Sequence, residues 1–93
     1  MTPKKTSYVI QVHRAVYPFK IETLHQTEVF DKAALQSEFD RLAETLQEGE
    51  DLEYMKATAR DFYPSMLVVT RRNGTLLRET PRGFVQYYPK ELV

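Results

Sequence analysis

The dipeptide Asn73-Gly74 constrains the fold of this chain more than any other pair of residues in it. A two-residue hairpin loop of type I′ needs positive φ at both central positions, and Asn followed by Gly meets that need at little steric cost. Its flanks agree. Met66-Leu67-Val68-Val69 is a continuous apolar run, as expected of an interior strand, and residues 75–79 read as the returning strand. Pro81-Arg82-Gly83 then predicts a second turn, and residues 84–88 a last strand.

Residues 6–29 read as another β-hairpin, turning at Val16-Tyr17-Pro18-Phe19. Proline between aromatic residues suits a type VI turn. That turn pairs Val16 with Phe19, so Arg14 faces Ile21, Val12 faces Thr23, Ile10 faces His25 and Tyr8 faces Thr27. One face then carries Tyr8, Ile10, Val12, Val16, Phe19, Ile21 and Val29. The other carries Gln11, His13, Lys20, Glu22, Gln26 and Glu28, interrupted by Val9 and Leu24.

A helix follows. Asp31 is placed to cap its first turn, and Phe30 to staple onto Leu35. Leu35, Phe39, Leu42 and Leu46 recur at helical spacing beside Ala34 and Ala43, and Gly49 is the expected stop. Residues 51–63 fit two patterns. Leu52, Met55, Ala59 and Phe62 suit a second helix, whereas Leu52, Tyr54, Lys56 and Thr58 alternate as in a strand. The Leu, Glu, Met, Lys and Ala content favours the helix. The expected fold is α+β, in the order ββα(α)βββ. One antiparallel or mixed sheet of about five strands carries one or two helices on one face, and a β-grasp-like arrangement is among its forms.

A length of 93 residues suits one domain spanning 1–93, with residues 1–5 as a flexible arm. Apolar content of 42% is too high for a disordered tail. With no cysteine, disulfide scaffolds, thiolate zinc sites and thiol nucleophiles are excluded, and a cytoplasmic location is expected. The three glycines Gly49, Gly74 and Gly83 all serve turns, leaving none for a phosphate-binding loop. No long apolar stretch suggests a membrane span.

The net charge of zero conceals a pattern. Residues 1–20 contain Lys4, Lys5, Arg14 and Lys20 and no acid, a balance of +4. Residues 21–54 contain ten acids against Lys32 and Arg41, a balance of −8, and residues 55–93 return to +4. Asp40, Glu44 and Glu48 stand four residues apart, with Glu50, Asp51 and Glu53 just beyond. Like charges at that spacing destabilise a helix by roughly 0.2–0.5 kcal/mol per pair, and acids near a helix C-terminus also oppose its dipole. The plain reading is a solvated face with the basic ends folded back as counter-charges. The functional reading is an acidic face of Asp40, Glu44, Glu48, Glu50 and Asp51 that docks on a basic protein surface, such as a nucleic-acid-binding groove.

Arg71, Arg72, Arg78, Arg82 and Lys90 cluster in sequence around two turns, near Tyr87 and Tyr88. Arginine forks beside aromatic rings can bind phosphate and stack bases, which makes a nucleic-acid binder the alternative. Zero net charge and the lack of a recognised binding motif count against it. Tyr17, Tyr63, Tyr87 and Tyr88 sit in or beside Tyr-Pro steps at element ends. They are either core-rim residues or interface anchors.

His13 is expected to face Glu22 as a cross-strand polar pair, and His25 to lie at the core edge opposite Ile10. His25 and Glu28 point to opposite faces and should share no metal. Ser7, Ser37 and Ser65 have no nucleophile-elbow context. The expected function is therefore non-enzymatic: a small protein-binding module of adaptor or inhibitor type, with no catalytic residue, cofactor or metal. A homo-oligomeric structural subunit, such as a homodimer joined through exposed sheet edges, is the third reading.

Overall fold

A computed structural model of the chain describes residues 6–16, 18, 20–57 and 62–90. Its elements are β1 (Ser7–Val16), β2 (Lys20–Val29), α1 (Lys32–Glu44), β3 (Glu50–Ala57), β4 (Phe62–Arg72), β5 (Thr75–Thr80) and β6 (Gly83–Gln86). The strands form one six-stranded sheet in the order β2-β1-β3-β4-β5-β6, and every neighbouring pair is antiparallel. The fold is α+β, with one sheet and a single helix. A β-grasp-like arrangement, which requires a parallel pair, does not form.

The topology follows from β1 having two partners. Because β2 and β3 both run antiparallel to β1, they run in the same direction on either side of it. The chain must therefore cross β1 between them, and α1 is that crossover. From β3 onward the strands simply meander.

Asp31 caps α1 as expected, its Oδ1 accepting from the Ala34 amide at 2.7 Å. Phe30, the expected staple, is 61% exposed and is not part of the core cluster that contains Leu35. The helix also stops earlier than Gly49: Thr45 is the C-cap, and Gly49 takes φ of +85° in the turn leading to β3. Leu35, Phe39, Leu42, Ala43 and Leu46 are buried against Ile10, Val12, Leu52, Val69 and Tyr87. Phe39 stands edge-on to both Tyr54 and Tyr87, at ring-centre separations of 5.8 and 5.7 Å. Burial of each such side chain contributes about 1.5–3 kcal/mol.

The expected second helix over 51–63 is a correction. Residues 50–57 are β3, between β1 and β4. Helix propensities differ by only about 0–0.7 kcal/mol per ordinary residue. Two hydrogen-bonded ladders, with Leu52 fully buried against α1, outweigh them.

The register of the first hairpin also differs. Val16 pairs with Lys20 rather than Phe19, so the loop has three residues; Tyr17 and Phe19, and with them the expected type VI turn, lie outside the described residues. Arg14 faces Glu22, and a bulge at Leu24 makes Val12 face His25 and Ile10 face Thr27. The bulge changes the phase of the strand. Val29 consequently packs on the core, whereas Ile21 lies on the sheet face away from α1 and is 74% exposed. A second bulge, at Met66, leaves that residue exposed while Leu67 and Val69 face α1.

Asn73 and Gly74 take φ of +53° and +79°, closing the β4–β5 hairpin with Arg72 opposite Thr75. The last strand ends at Gln86. Tyr87 leaves the sheet, bonds its amide to the Leu76 carbonyl and turns inward to 2% exposure. Residues 1–5, the expected flexible arm, lie outside the described residues. Among the described residues, no helix is long and apolar enough to cross a membrane.

Candidate functional site

The acidic residues separate into two groups. Asp40, Glu44, Glu48 and Glu50 surround the C-terminal end of α1. Asp51, one residue further, points to the opposite sheet face, level with His13 on β1 and Thr70 on β4. The single expected acidic face is thus split by the alternation of β3.

The helix-end carboxylates have specific neighbours. Asp40 accepts from the Gln36 amide at 2.7 Å, the Tyr87 hydroxyl at 2.8 Å and the Lys90 backbone N–H at 2.9 Å. It ties the C-terminal segment to α1. Lys90 holds this bond with a φ of +68°, in the left-handed region. Glu48 accepts from the Asn73 and Gly74 amides at 2.7 and 3.3 Å, gripping the hairpin turn. Glu50 accepts from the Gln47 amide at 2.9 Å, and Glu44 is exposed.

These donors are uncharged groups, so the bonds are not ion pairs. Among the described residues the ion pairs are Arg14–Glu22 at 3.3 Å, Arg41–Glu38, and His13–Glu53 at 2.7 Å when the imidazole is protonated. None of these involves the helix-end acids, and no described basic residue forms an ion pair with them; Lys4, Lys5 and Arg60 lie outside the described residues. Glu38 holds the Arg41 guanidinium above its ordinary pKa, by hydrogen bonding first and by its charge second.

The basic residues do not form one patch. Arg71 donates to the carbonyls of Leu46 at 2.6 Å, Ala43 at 2.9 Å and Gly74 at 2.8 Å, so it caps the end of α1 and fastens it to the hairpin. Arg72 points to the other face, its guanidinium 4.6 Å from the centre of the Phe84 ring. Arg78 is half-buried opposite Val69 and Val85. Arg82 lies in the turn at the far end of β5, and Lys90 borders α1.

The tyrosines separate similarly. Tyr87 is a core residue, since its ring packs on Phe39 and its hydroxyl bonds Asp40; it is not an exposed anchor. Tyr88 is 59% exposed, and its hydroxyl donates to Gln86 at 3.2 Å. Tyr17 and the Tyr63 side chain lie outside the described residues.

His13 bonds Glu53, not Glu22; Glu22 pairs with Arg14 instead. The other oxygen of Glu53 accepts from the Ser65 hydroxyl at 2.6 Å, and the Thr23 hydroxyl stands 3.4 Å from His13 Nδ1. Thr23, Glu53 and Ser65 are the members that sequence reasoning missed. Reading 51–57 as a strand next to β1 would have brought Glu53 to His13. His25 faces Val12 and is exposed rather than tucked against Ile10.

Two depressions accompany these groups. An open groove of about 620 Å³ runs along α1, lined by Ala33, Gln36, Ser37, Asp40, Arg41, Glu44 and Lys90. A smaller one of about 330 Å³ lies on the opposite sheet face among His13, Ala15, Ile21, Asp51, Glu53 and Val68. No family model matches the chain, and neither a curated protein nor a solved structure matches it.

Proposed function

We propose that the chain is a small non-enzymatic protein-binding module, of adaptor or inhibitor type, that sets the acidic rim at the end of α1 against a basic surface of another protein. The observation that carries this reading is the way the rim is held. Asp40 and Glu48 are fixed by neutral donors, and Glu44 stands exposed between them in the chain. Fixed charges that no described residue pairs with lose little freedom when a partner arrives, and they steer a basic partner during approach. The groove beside Asp40 and Glu44 gives such a partner room to seat side chains. A nucleic-acid-binding groove of the partner is one basic surface of suitable character.

The nucleic-acid reading for this chain draws less support. Arg71 is committed to three carbonyls, and Arg72 and Arg82 lie at different places in the sheet. Capture of basic proteins by the wild type, Glu44→Lys and Arg82→Glu separates the two. Loss with Glu44→Lys and retention with Arg82→Glu is the expected outcome. Capture that survives Glu44→Lys unchanged contradicts the proposal. Oligonucleotide binding at low salt that Arg82→Glu weakens would transfer the function to the basic side chains.

A further inference from the structure

We propose that the smaller depression, on the sheet face away from α1, is a binding site for an alkylguanidinium or alkylammonium group. It is independent of the acidic rim and lies on the other side of the sheet. Its volume of about 330 Å³ exceeds by roughly tenfold the ~30 Å³ that a water molecule occupies in the liquid. A small organic group therefore fits.

The lining selects the chemistry. Ala15 and Ile21 face one another on β1 and β2, and Val68 closes the far side from β4. These apolar walls suit an aliphatic stem. Between them lie Asp51, Glu53 and His13, and no Lys or Arg is among the lining residues. Glu53 cannot swing away, because His13 and Ser65 each hold one of its oxygens. When His13 donates from Nε2 to Glu53, its Nδ1 is left to accept from the Thr23 hydroxyl. The lining offers two carboxylates, Asp51 and Glu53. Asp51 takes no hydrogen bond from any described residue and is free to bind the cationic head. Two basic residues of these strands are engaged elsewhere, Arg14 with Glu22 and Arg72 with Phe84. Among the described residues, no group of three or more His, Cys, Asp or Glu side chains is arranged to hold a metal ion.

Titration of the full chain with n-butylguanidine, followed by the methyl resonances of Ala15, Ile21 and Val68, tests the site. Saturable shifts confined to these methyls are expected. The neutral isostere n-butylurea, and n-butylguanidine with Asp51→Asn, should each bind roughly tenfold more weakly, that factor being the loss of one charge-assisted hydrogen bond. Guanidinium without a stem should bind roughly tenfold more weakly through loss of apolar contact with Ala15, Ile21 and Val68. Asp51 is exposed, so this substitution leaves the fold intact, which the unchanged remainder of the spectrum verifies. Equal binding of n-butylurea, undiminished affinity in Asp51→Asn, or no shift at the three methyls overturns the proposal. A blocked Gly-Arg-Gly peptide identifies the source: binding equal to n-butylguanidine supports a partner's arginine side chain, and weaker binding supports a free amine or guanidine. Failure here leaves the rim untouched, since capture through Glu44 reads the other face.

Discussion

The two faces of the sheet use acidic side chains in contrasting ways. Beside α1, Asp40 and Glu48 join segments distant in sequence by accepting from a tyrosine hydroxyl, a glutamine amide and backbone N–H groups. On the open face, Glu53 is held between His13 and Ser65, while Asp51 beside it is unengaged among the described residues. The same residue type is an architectural acceptor on one side and a wall of a depression on the other. The difference teaches that charge counted along the chain says little about role until the register assigns each residue a face.

Substitutions should divide along the same line. The largest effect is expected from Phe39→Ala, which empties the contact with Tyr54 and Tyr87 and should cost about 3–5 kcal/mol in urea unfolding. Ile21→Ala, on the open face, should stay within about 0.5 kcal/mol. Near-equal losses would mean that the open face is covered as thoroughly as the helix face.

Asp40→Ala comes next. It leaves the Tyr87 hydroxyl and the Lys90 amide without their acceptor and should cost about 2 kcal/mol, with Asp51→Ala near zero. A double-mutant cycle with Tyr87→Phe should return about 1 kcal/mol of coupling. Additive losses would show that Asp40 does not hold the C-terminal segment through Tyr87.

These predictions also mark what was legible in the sequence. The Asp31 cap, the Leu35–Phe39–Leu42 spacing and the Asn73-Gly74 turn depend on neighbours a few residues away, and all three form as read. The register of β1 and β2 was not legible, because one extra residue at Leu24 reverses the face of everything before it. Nor was β3, whose helix-forming composition yields to strands paired on both sides. The acidic rim was visible as a stripe, but its fastening was not. Tyr87 lies 47 residues from Asp40, and Asn73 lies 25 from Glu48. The His13–Glu53 contact spans 40 residues and depends on both the β3 assignment and its register.

The smallest expected effect concerns Tyr54, whose packing against Phe39 and Tyr8 puts it on the helix side. Burial first, and Tyr8 second, raise its phenol above the ordinary 10.0. The folded state therefore holds this proton more tightly than the unfolded chain does. Its contribution is fully present below about pH 10 and is lost as pH rises through the higher folded value. Tyr54→Phe should flatten the alkaline limb of a stability profile and leave neutral pH nearly unchanged. An identical alkaline limb in both proteins would remove Tyr54 from the account.

The acidic rim itself is tested most directly by the amide-shift footprint of a captured basic partner on this chain. The account predicts changes concentrated at residues 36–44 and 47–50, diminished by added salt and lost with Glu44→Lys. A footprint centred on β5 and the Pro81-Arg82 turn, with the end of α1 unperturbed, would contradict it.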